Sequence, residues 1–331
     1  MSEAEETTGK PGTKAGAKSG VETAESVGQA GEGDGRRCGF VALIGAPNAG
    51  KSTLINALVG AKVAIVSRKV QTTRVPLRGI AMVDKSQLVF IDTPGIFAPR
   101  RRLDRAMVGA AAGAASEADV VVLLVDAAKG LDEGVERLLG VLAPITAPRL
   151  LILNKIDRVE KPDLLGLAAA LNARIPFGAT FMVSALSGSG VEDLKAHLAS
   201  HVPFGAWHYP EDEITDATER STAAEITREK IYDNLHEELP YQTTVETTGW
   251  EEKKDGSVRI EQTIFVARDN QRSIVLGEGG RTVKQISMAS RKELGKLFGR
   301  TVHLFLHVKV AEGWENNPEH YREMGLEFPK E

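Results

Sequence analysis

Cysteine is nearly absent from this chain. Cys38 stands alone among 331 residues, which excludes an intrachain disulfide framework. Next to an apolar run, it is expected to act as a small buried apolar residue. No His/Cys group has the spacing of a zinc site. Long apolar runs are missing too. None approaches the roughly 20 residues of a membrane span, and the N-terminus has no apolar h-region of a secretory signal. The expected location is therefore the cytoplasm. A large excess of either charge is also lacking. The net charge of −4 over the whole chain makes charge informative only region by region.

What is present describes a globular protein, with 42% hydrophobic and 26% charged residues. Its length suits two domains rather than one small core. Residues 1–35 carry Lys10, Lys14 and Lys18 against seven acids, which already accounts for the net −4 of the chain. This stretch is rich in Gly, Ala, Thr and Glu and has almost no large apolar residue. It cannot bury a core, so residues 1–36 are expected to be a disordered tail. Residues 268–300 differ, with eight Lys/Arg against three acids. A basic block on a neutral body suggests an anionic partner there.

Folding is expected to begin at "CGFVALIGAPNAGKSTLINALVG". Phe40–Ile44 is a continuous apolar run, as in a strand buried on both faces. Gly45-Ala46-Pro47-Asn48-Ala49-Gly50-Lys51-Ser52-Thr53 then contains G-x-x-x-x-G-K-[ST], and Leu54, Ile55 and Leu58 continue at helical spacing. Glycines let backbone N–H groups turn onto phosphate oxygens, and the helix start adds its positive dipole end. Lys51 is expected to neutralise the β/γ-phosphates and Ser52 to offer a hydroxyl to Mg²⁺.

Later segments select the base. "LVFIDTPGIF" ends a strand in Asp92-Thr93-Pro94-Gly95. Asp92 is expected in the Mg²⁺ shell, and the Gly95 N–H at the γ-phosphate. "RLLILNKIDRV" carries Asn154-Lys155-Ile156-Asp157, the N-K-x-D signal of guanine recognition. The Asp157 carboxylate can accept from both N1–H and the 2-amino group of guanine. Adenine would leave it unpaired, at a cost of about 1–3 kcal/mol. Asn154 is expected to donate to N7, and the Lys155 stem to cover the base. "TFMVSALSGSG" adds Ser184-Ala185-Leu186, where the Ala185 N–H is expected to meet guanine O6. Each signal lies at the C-terminal edge of an apolar strand, where ligands sit in open α/β sheets.

The switch segment, "SRKVQTTRVP", offers Thr73 as first choice for a Mg²⁺-binding threonine and Thr72 as second. Asn48 is either a turn residue or a side-chain ligand for a monovalent cation such as K⁺. Position 96 is isoleucine. Ras-like enzymes keep a water-orienting glutamine there. A low intrinsic hydrolysis rate is expected, dependent on a partner, a cation or a rearranged switch.

"HVPFGAWHYPEDEITD" reads as a linker, placed at 206–218. A helix with Ala224, Ile226, Ile231, Leu235 and Leu239 on one face is expected to follow and to end at Pro240. Strands at 243–250 and 258–268, a short helix, a glycine loop, a long helix from Arg281 and a last strand at 301–310 give the order α-β-β-α-[GxxG]-α-β. Gly277-Glu278-Gly279-Gly280 lacks the third glycine of a dinucleotide loop and the Lys-Ser of a phosphate loop. It fits the G-x-x-G of a KH module, in which single-stranded RNA passes close to the backbone. A plain helix–helix turn is the simpler alternative. Arg272, Arg281 and Lys284 are the expected phosphate contacts around it.

The segments "GAPNAGKSTLINAL", "SRKVQTTR", "DTPGIF", "NKID", "SAL", "YPEDEITD", "EITREK", "ELPY" and "VHLFLHVKVAEGW" together resemble the Era family of bacterial GTPases. The resemblance covers residue 37 to the end. It implies an α/β fold: a P-loop GTPase domain at 37–205 with a mostly parallel sheet, joined to a smaller type II KH domain at 219–331. It also implies GTP/GDP and Mg²⁺ as ligands, binding near the 3′ end of 16S rRNA, a role in assembly of the 30S subunit, and peripheral association with the inner membrane. A monomer is expected. One departure bears on RNA: Glu278 stands where a basic residue is more usual. Two rivals remain, a switch whose C-terminal domain binds protein and an inactive nucleotide-binding scaffold. The intact Lys51, Ser52 and Asp92 argue against the second.

Overall fold

A computed structural model describes residues 34–329 except Arg68, Val70, Gln71, Val75, Ala98, Arg100 and Met324. Apart from 34–36, the tail lies outside the described residues.

The first domain carries strands β1 (Arg37–Gly45), β2 (Leu77–Val83), β3 (Ser86–Asp92), β4 (Val120–Asp126), β5 (Arg149–Asn154) and β6 (Ala179–Val183). Between and after them come helices α1 (Lys51–Val59), α2 (Arg102–Glu117), α3 (Glu133–Leu142), α4 (Lys161–Asn172) and α5 (Val191–His201). The sheet order is β2-β3-β1-β4-β5-β6, and only the β2–β3 pair is antiparallel. The apolar run of β4 has a plain cause. Val122 and Leu124 face a core shared with α1 and α5, while Val121, Leu123 and Val125 face one shared with α2, α3 and α4. A strand covered on both faces has no polar side to show.

Register aligns the functional ends of these strands. Asp92 pairs with Leu43, Leu124 with Gly45, Asp126 with Asn154, and Asn154 with Val183. The phosphate loop, Asp92, Asn154 and the turn after β6 thus share one edge of the sheet.

The segment expected to be a linker does not hang free. The buried Gln87 amide accepts from the His208 and Tyr209 N–H groups at 2.9 and 3.0 Å and donates to the Tyr209 carbonyl at 2.8 Å. The Ile80 N–H donates to the Ile214 carbonyl at 2.8 Å, beside a bridge between Gly79 and Thr215. Its Pro- and acid-rich composition concealed this pairing along the sheet edge.

The second domain comprises α6 (Glu219–Asn234), β7 (Thr243–Glu252), β8 (Val258–Val266), α7 (Asp269–Leu276), α8 (Arg281–Leu297), β9 (Val302–Val310) and α9 (Pro318–Glu323). The expected element order holds. β7 pairs antiparallel with β8, and β9 runs parallel to β8. One boundary differs: α6 ends at Asn234 rather than at Pro240, and Leu235 is extended at φ −105°. Leu235 and Leu239 are buried all the same, in the core with Ile231, Val245 and Ile264. Their apolar spacing imitated one more helical turn.

The two domains share apolar contacts at both switch regions. Ile65 inserts among Ala223, Ile226, Val258 and Leu294 of the second domain. Burying such a side chain contributes about 1.5–3 kcal/mol. On the other side, Leu103, Ala106 and Met107 of α2 pack with Trp314, Tyr321 and Leu326.

Candidate functional site

The phosphate end forms where β1 stops and α1 starts. Gly50 has φ +102°, and a Cβ there would lie 2.3 Å from the Asn154 amide nitrogen. Only glycine lets the loop cross Asn154 in this conformation. Lys51 is buried, and its Nζ donates to the carbonyls of Gly45 at 3.0 Å and Ala46 at 3.2 Å. Burial lowers its pKa to about 8, although the Asp92 charge opposes the shift. An ammonium held this far from water gains strongly from an anionic ligand.

The metal-binding candidates converge beside it. Ser52 Oγ and Thr73 Oγ1 both donate to Asp92 Oδ2, at 2.8 and 2.9 Å, and lie 3.0 Å from each other. Asp92 is fully buried, and its Oδ1 has no hydrogen-bond partner among the described residues. Burial raises its pKa despite Lys51 and the two hydroxyls. A buried, incompletely satisfied carboxylate next to two hydroxyls suits a small hard cation, so these residues fit Mg²⁺. Of the two threonines, the structure brings Thr73 to this point. The Thr72 hydroxyl donates instead to the Lys69 carbonyl at 2.9 Å. Gly95 backs onto Pro47, which sets its backbone against the phosphate loop. The buried Thr93 hydroxyl donates to the Leu43 carbonyl at 2.6 Å and so braces β1. Ile96 is buried in the core with Ala111 and Val135, in keeping with its inability to orient water.

At the base end, Asp157 Oδ1 accepts from Ser184 Oγ at 2.6 Å, and that bond is the main reason its pKa is lowered. The carboxylate therefore stays ionised and acceptor-only. Asn154 does more than contact a base. Its Nδ2 donates to the Ala49 carbonyl at 2.8 Å, and its Oδ1 accepts from the Ala185 N–H at 3.0 Å. The Ala185 N–H, expected to meet guanine O6, is held here by Asn154. One Asn154 N–H remains for a base nitrogen. Lys155 is anchored at its tip, to the Asn48 carbonyl at 2.7 Å and to Asp126 at 2.6 Å. That leaves its stem to cover a base. Leu186 is exposed at the rim. Asp126 is a residue that the motifs missed. Its only signal was a lone acid closing an apolar strand, as Asp92 closes β3.

Because Asn154 ties the loop to the Ala185 turn, Asn154→Ala leaves one buried acceptor and one buried donor unpaired. It is expected to lower stability by about 1–3 kcal/mol and to weaken GTP and GDP together. Chemical denaturation and nucleotide titration check this. An unchanged midpoint with only triphosphate binding affected would refute the bridging role.

The second glycine loop lies between α7 and α8. Gly277 has φ +72°, and a Cβ there would stand 2.2 Å from the Thr282 hydroxyl. Gly279 and Gly280 also have positive φ, at 61° and 76°. Arg272, Arg281 and Lys284 surround the loop, with Arg281 and Lys284 exposed on the first turn of α8. Glu278 does not stand alone: its carboxylate pairs with the Arg281 guanidinium. Ile274, exposed beside this loop, was not anticipated.

Comparison with known proteins decides the family. A family profile described as "50S ribosome-binding GTPase" matches residues 40–155, and one described as "KH domain" matches 238–315. The GTPase Era of Bradyrhizobium sp. strain BTAi1 is 61% identical over 302 residues, covering 91% of this chain and 98% of that protein. The chain belongs to the Era GTPase family. Era of Brucella suis biovar 1 is 59% identical over 88% of this chain and 94% of its own. Two solved Era structures match across nearly their whole length. One is Era with MgGDPNP and nucleotides 1506–1542 of 16S ribosomal RNA, with TM-score 0.84, 34% identity, and 88% of this chain and 99% of that one covered. The other is an Aquifex aeolicus Era variant bound to GDP·AlF4⁻, with TM-score 0.83, 35% identity, and 87% and 99% covered. As an Era-family member the chain is a GTPase with a P-loop domain and a KH domain. Among the described residues no helix is long and apolar enough to cross a membrane.

Proposed function

We propose that this Era-family chain is a GTP-driven switch that binds 16S rRNA near its 3′ end and acts in assembly of the 30S subunit. The observation that carries this reading is the pairing, in one chain, of an Asp157-bearing nucleotide edge with an exposed, basic-flanked G-x-x-G loop. It agrees with the solved Era complex, which holds both a GTP analogue and a 16S fragment. We place the tail at 1–36, the GTPase domain at 37–205, the linker at 206–218 and the KH domain at 219–331. Action is assigned to the cytoplasm, as a monomer, with peripheral rather than spanning association at the inner membrane.

In this reading Gly45 to Thr53 wrap the phosphates, and Lys51 neutralises β- and γ-oxygens. Ser52 and Thr73, with Asp92 behind them, would hold Mg²⁺. When bound, that ion offsets charge developing on the transferred phosphoryl group. The Gly95 N–H faces the γ-phosphate, and Asp157 reads the guanine edge. The Asn48 side chain would be the ligand for a K⁺ ion, which would supply positive charge beside the phosphates. Hydrolysis is accordingly slow until a partner or cation assists.

Crosslinking of purified protein to 16S rRNA, with and without a GTP analogue, tests the reading. Crosslinks from the 277–284 region to the 3′ end, altered by the analogue, are expected. Crosslinks confined to other surfaces would overturn it. A charge reversal sharpens the test. Because Glu278 neutralises Arg281, Glu278→Lys both adds a cation and frees one. Single-stranded RNA should bind more tightly at low salt, and the slope of log K against log[salt] should steepen by about 0.7 for each further phosphate neutralised. An unchanged slope would remove the loop from the RNA path.

A further inference from the structure

The switch segment that carries Thr73 is held on both sides by the second domain. Ile65 is buried in that domain's core, and the Val66 N–H donates to Glu229 Oε1 at 2.9 Å. Lys69 Nζ reaches the carbonyls of Tyr232 and Leu235. Arg74, buried to 3% exposure, donates to the carbonyls of Pro240, Tyr241 and Thr243 at 2.7–3.1 Å. One contact touches the residue immediately before Thr73. Arg228 Nη2, from α6, donates to the Thr72 carbonyl at 2.6 Å.

Arg228 is itself fixed. It is 2% exposed, its Nε donates to Glu225 Oε1 at 2.8 Å, and its Nη2 pairs with the other Glu225 oxygen. Its Nη1 has no hydrogen-bond partner among the described residues. Arg228, Glu225, Thr73 and Asp92 line one cavity of about 580 Å³ between the domains. A buried guanidinium is costly unless paired, and here Nη2 is shared between the acid Glu225 and a switch carbonyl. A planar fork braced on one side presents its remaining donor in a set direction.

We propose that Arg228 is a positioning residue for GTP hydrolysis: braced by Glu225, it holds the Thr72 carbonyl and so keeps the Thr73 hydroxyl at Asp92 and the Mg²⁺ site. The inference rests on the assignment of the phosphate pocket made above. It also identifies the route by which the KH domain acts on the nucleotide: any movement of α6 moves the grip on Thr72. The effect is selective. Switch segments are ordered by contacts to the γ-phosphate, which a diphosphate lacks, together with its metal.

Two measurements on full-length Arg228→Gln test this. In nucleotide-free protein, amide exchange across 66–77 should accelerate, while exchange in 45–53 stays at the parental rate. In nucleotide titrations, affinity for a non-hydrolysable GTP analogue should fall by about tenfold or more, as expected for a lost charge-assisted bond, while GDP affinity stays within about twofold. Equal loss of both nucleotides, or unchanged exchange in 66–77, overturns the proposal. Glu225→Gln covers the case in which Arg228→Gln does not fold: Glu225 is partly exposed, and the amide oxygen can still accept from Arg228 Nε, so the buried guanidinium keeps a partner. It also separates positioning from simple charge. Removing an acid near Asp92 favours the neighbouring cations less and the anionic nucleotide more, so on electrostatic grounds alone the analogue should bind more tightly, whereas loss of the brace weakens it. Tighter analogue binding in Glu225→Gln therefore refutes the brace. A parental protein that does not prefer GTP over ATP would instead sink the pocket assignment, whatever Arg228 does.

Discussion

Lys51→Ala is expected to weaken GTP binding by more than tenfold and to abolish measurable hydrolysis. The Lys51 ammonium is buried and, among the described residues, donates to the Gly45 and Ala46 carbonyls, so its charge is available to phosphate oxygens. A charge-assisted bond of this kind is worth about 1.5–3 kcal/mol, and more where water is excluded. Alanine also removes the cation that faces Asp92, leaving a buried carboxylate with a pKa raised further. Folding should survive, because an apolar side chain replaces a desolvated charge. Fluorescent-nucleotide titration and phosphate release check the result. Parental hydrolysis by the variant would show that this loop is not the catalytic pocket.

Asp157→Asn is expected to redirect base preference from guanine to xanthine. The wild-type carboxylate is kept ionised by Ser184 and can only accept. It therefore matches two donors on guanine. An amide presents one donor, which suits the 2-carbonyl of xanthine and collides with the 2-amino group of guanine. A loss of about tenfold on one base and a similar gain on the other give roughly a hundredfold change in the affinity ratio. The oxygen of the introduced amide can still accept from Ser184, so the surrounding turn should keep its shape. Competition between GTP and xanthosine triphosphate on both proteins measures the shift. Retained GTP preference would exclude Asp157 from the guanine pocket.

The sequence made the chemistry at each strand end legible because that chemistry is local. Gly45 to Ser52, Asp92 to Gly95, Asn154 to Asp157 and Ser184 to Leu186 each lie within a few residues and follow an apolar run. Parallel register then brings them to one edge without further information. The G-x-x-G loop was legible for the same reason, since positive φ at Gly277, Gly279 and Gly280 is a property of those residues. The end of α6 was less so. Leu235 and Leu239 keep helical spacing, and nothing local shows that the chain turns extended at Leu235 to reach its core.

By itself, then, the sequence determined the two-domain α/β plan, the nucleotide edge and the second glycine loop, because backbone conformation and apolar period are written in neighbouring residues. Tertiary structure alone decided which of two threonines reaches Asp92. It turned the Thr93 hydroxyl and the Ala185 N–H inward, and it paired Glu278 with Arg281. It also laid Arg228 on the carbonyl of Thr72, 156 residues away. Each of these is a choice of hydrogen-bond partner. A donor buried by folding takes the acceptor that packing places within about 3 Å, and that acceptor comes from whatever part of the chain the fold delivers.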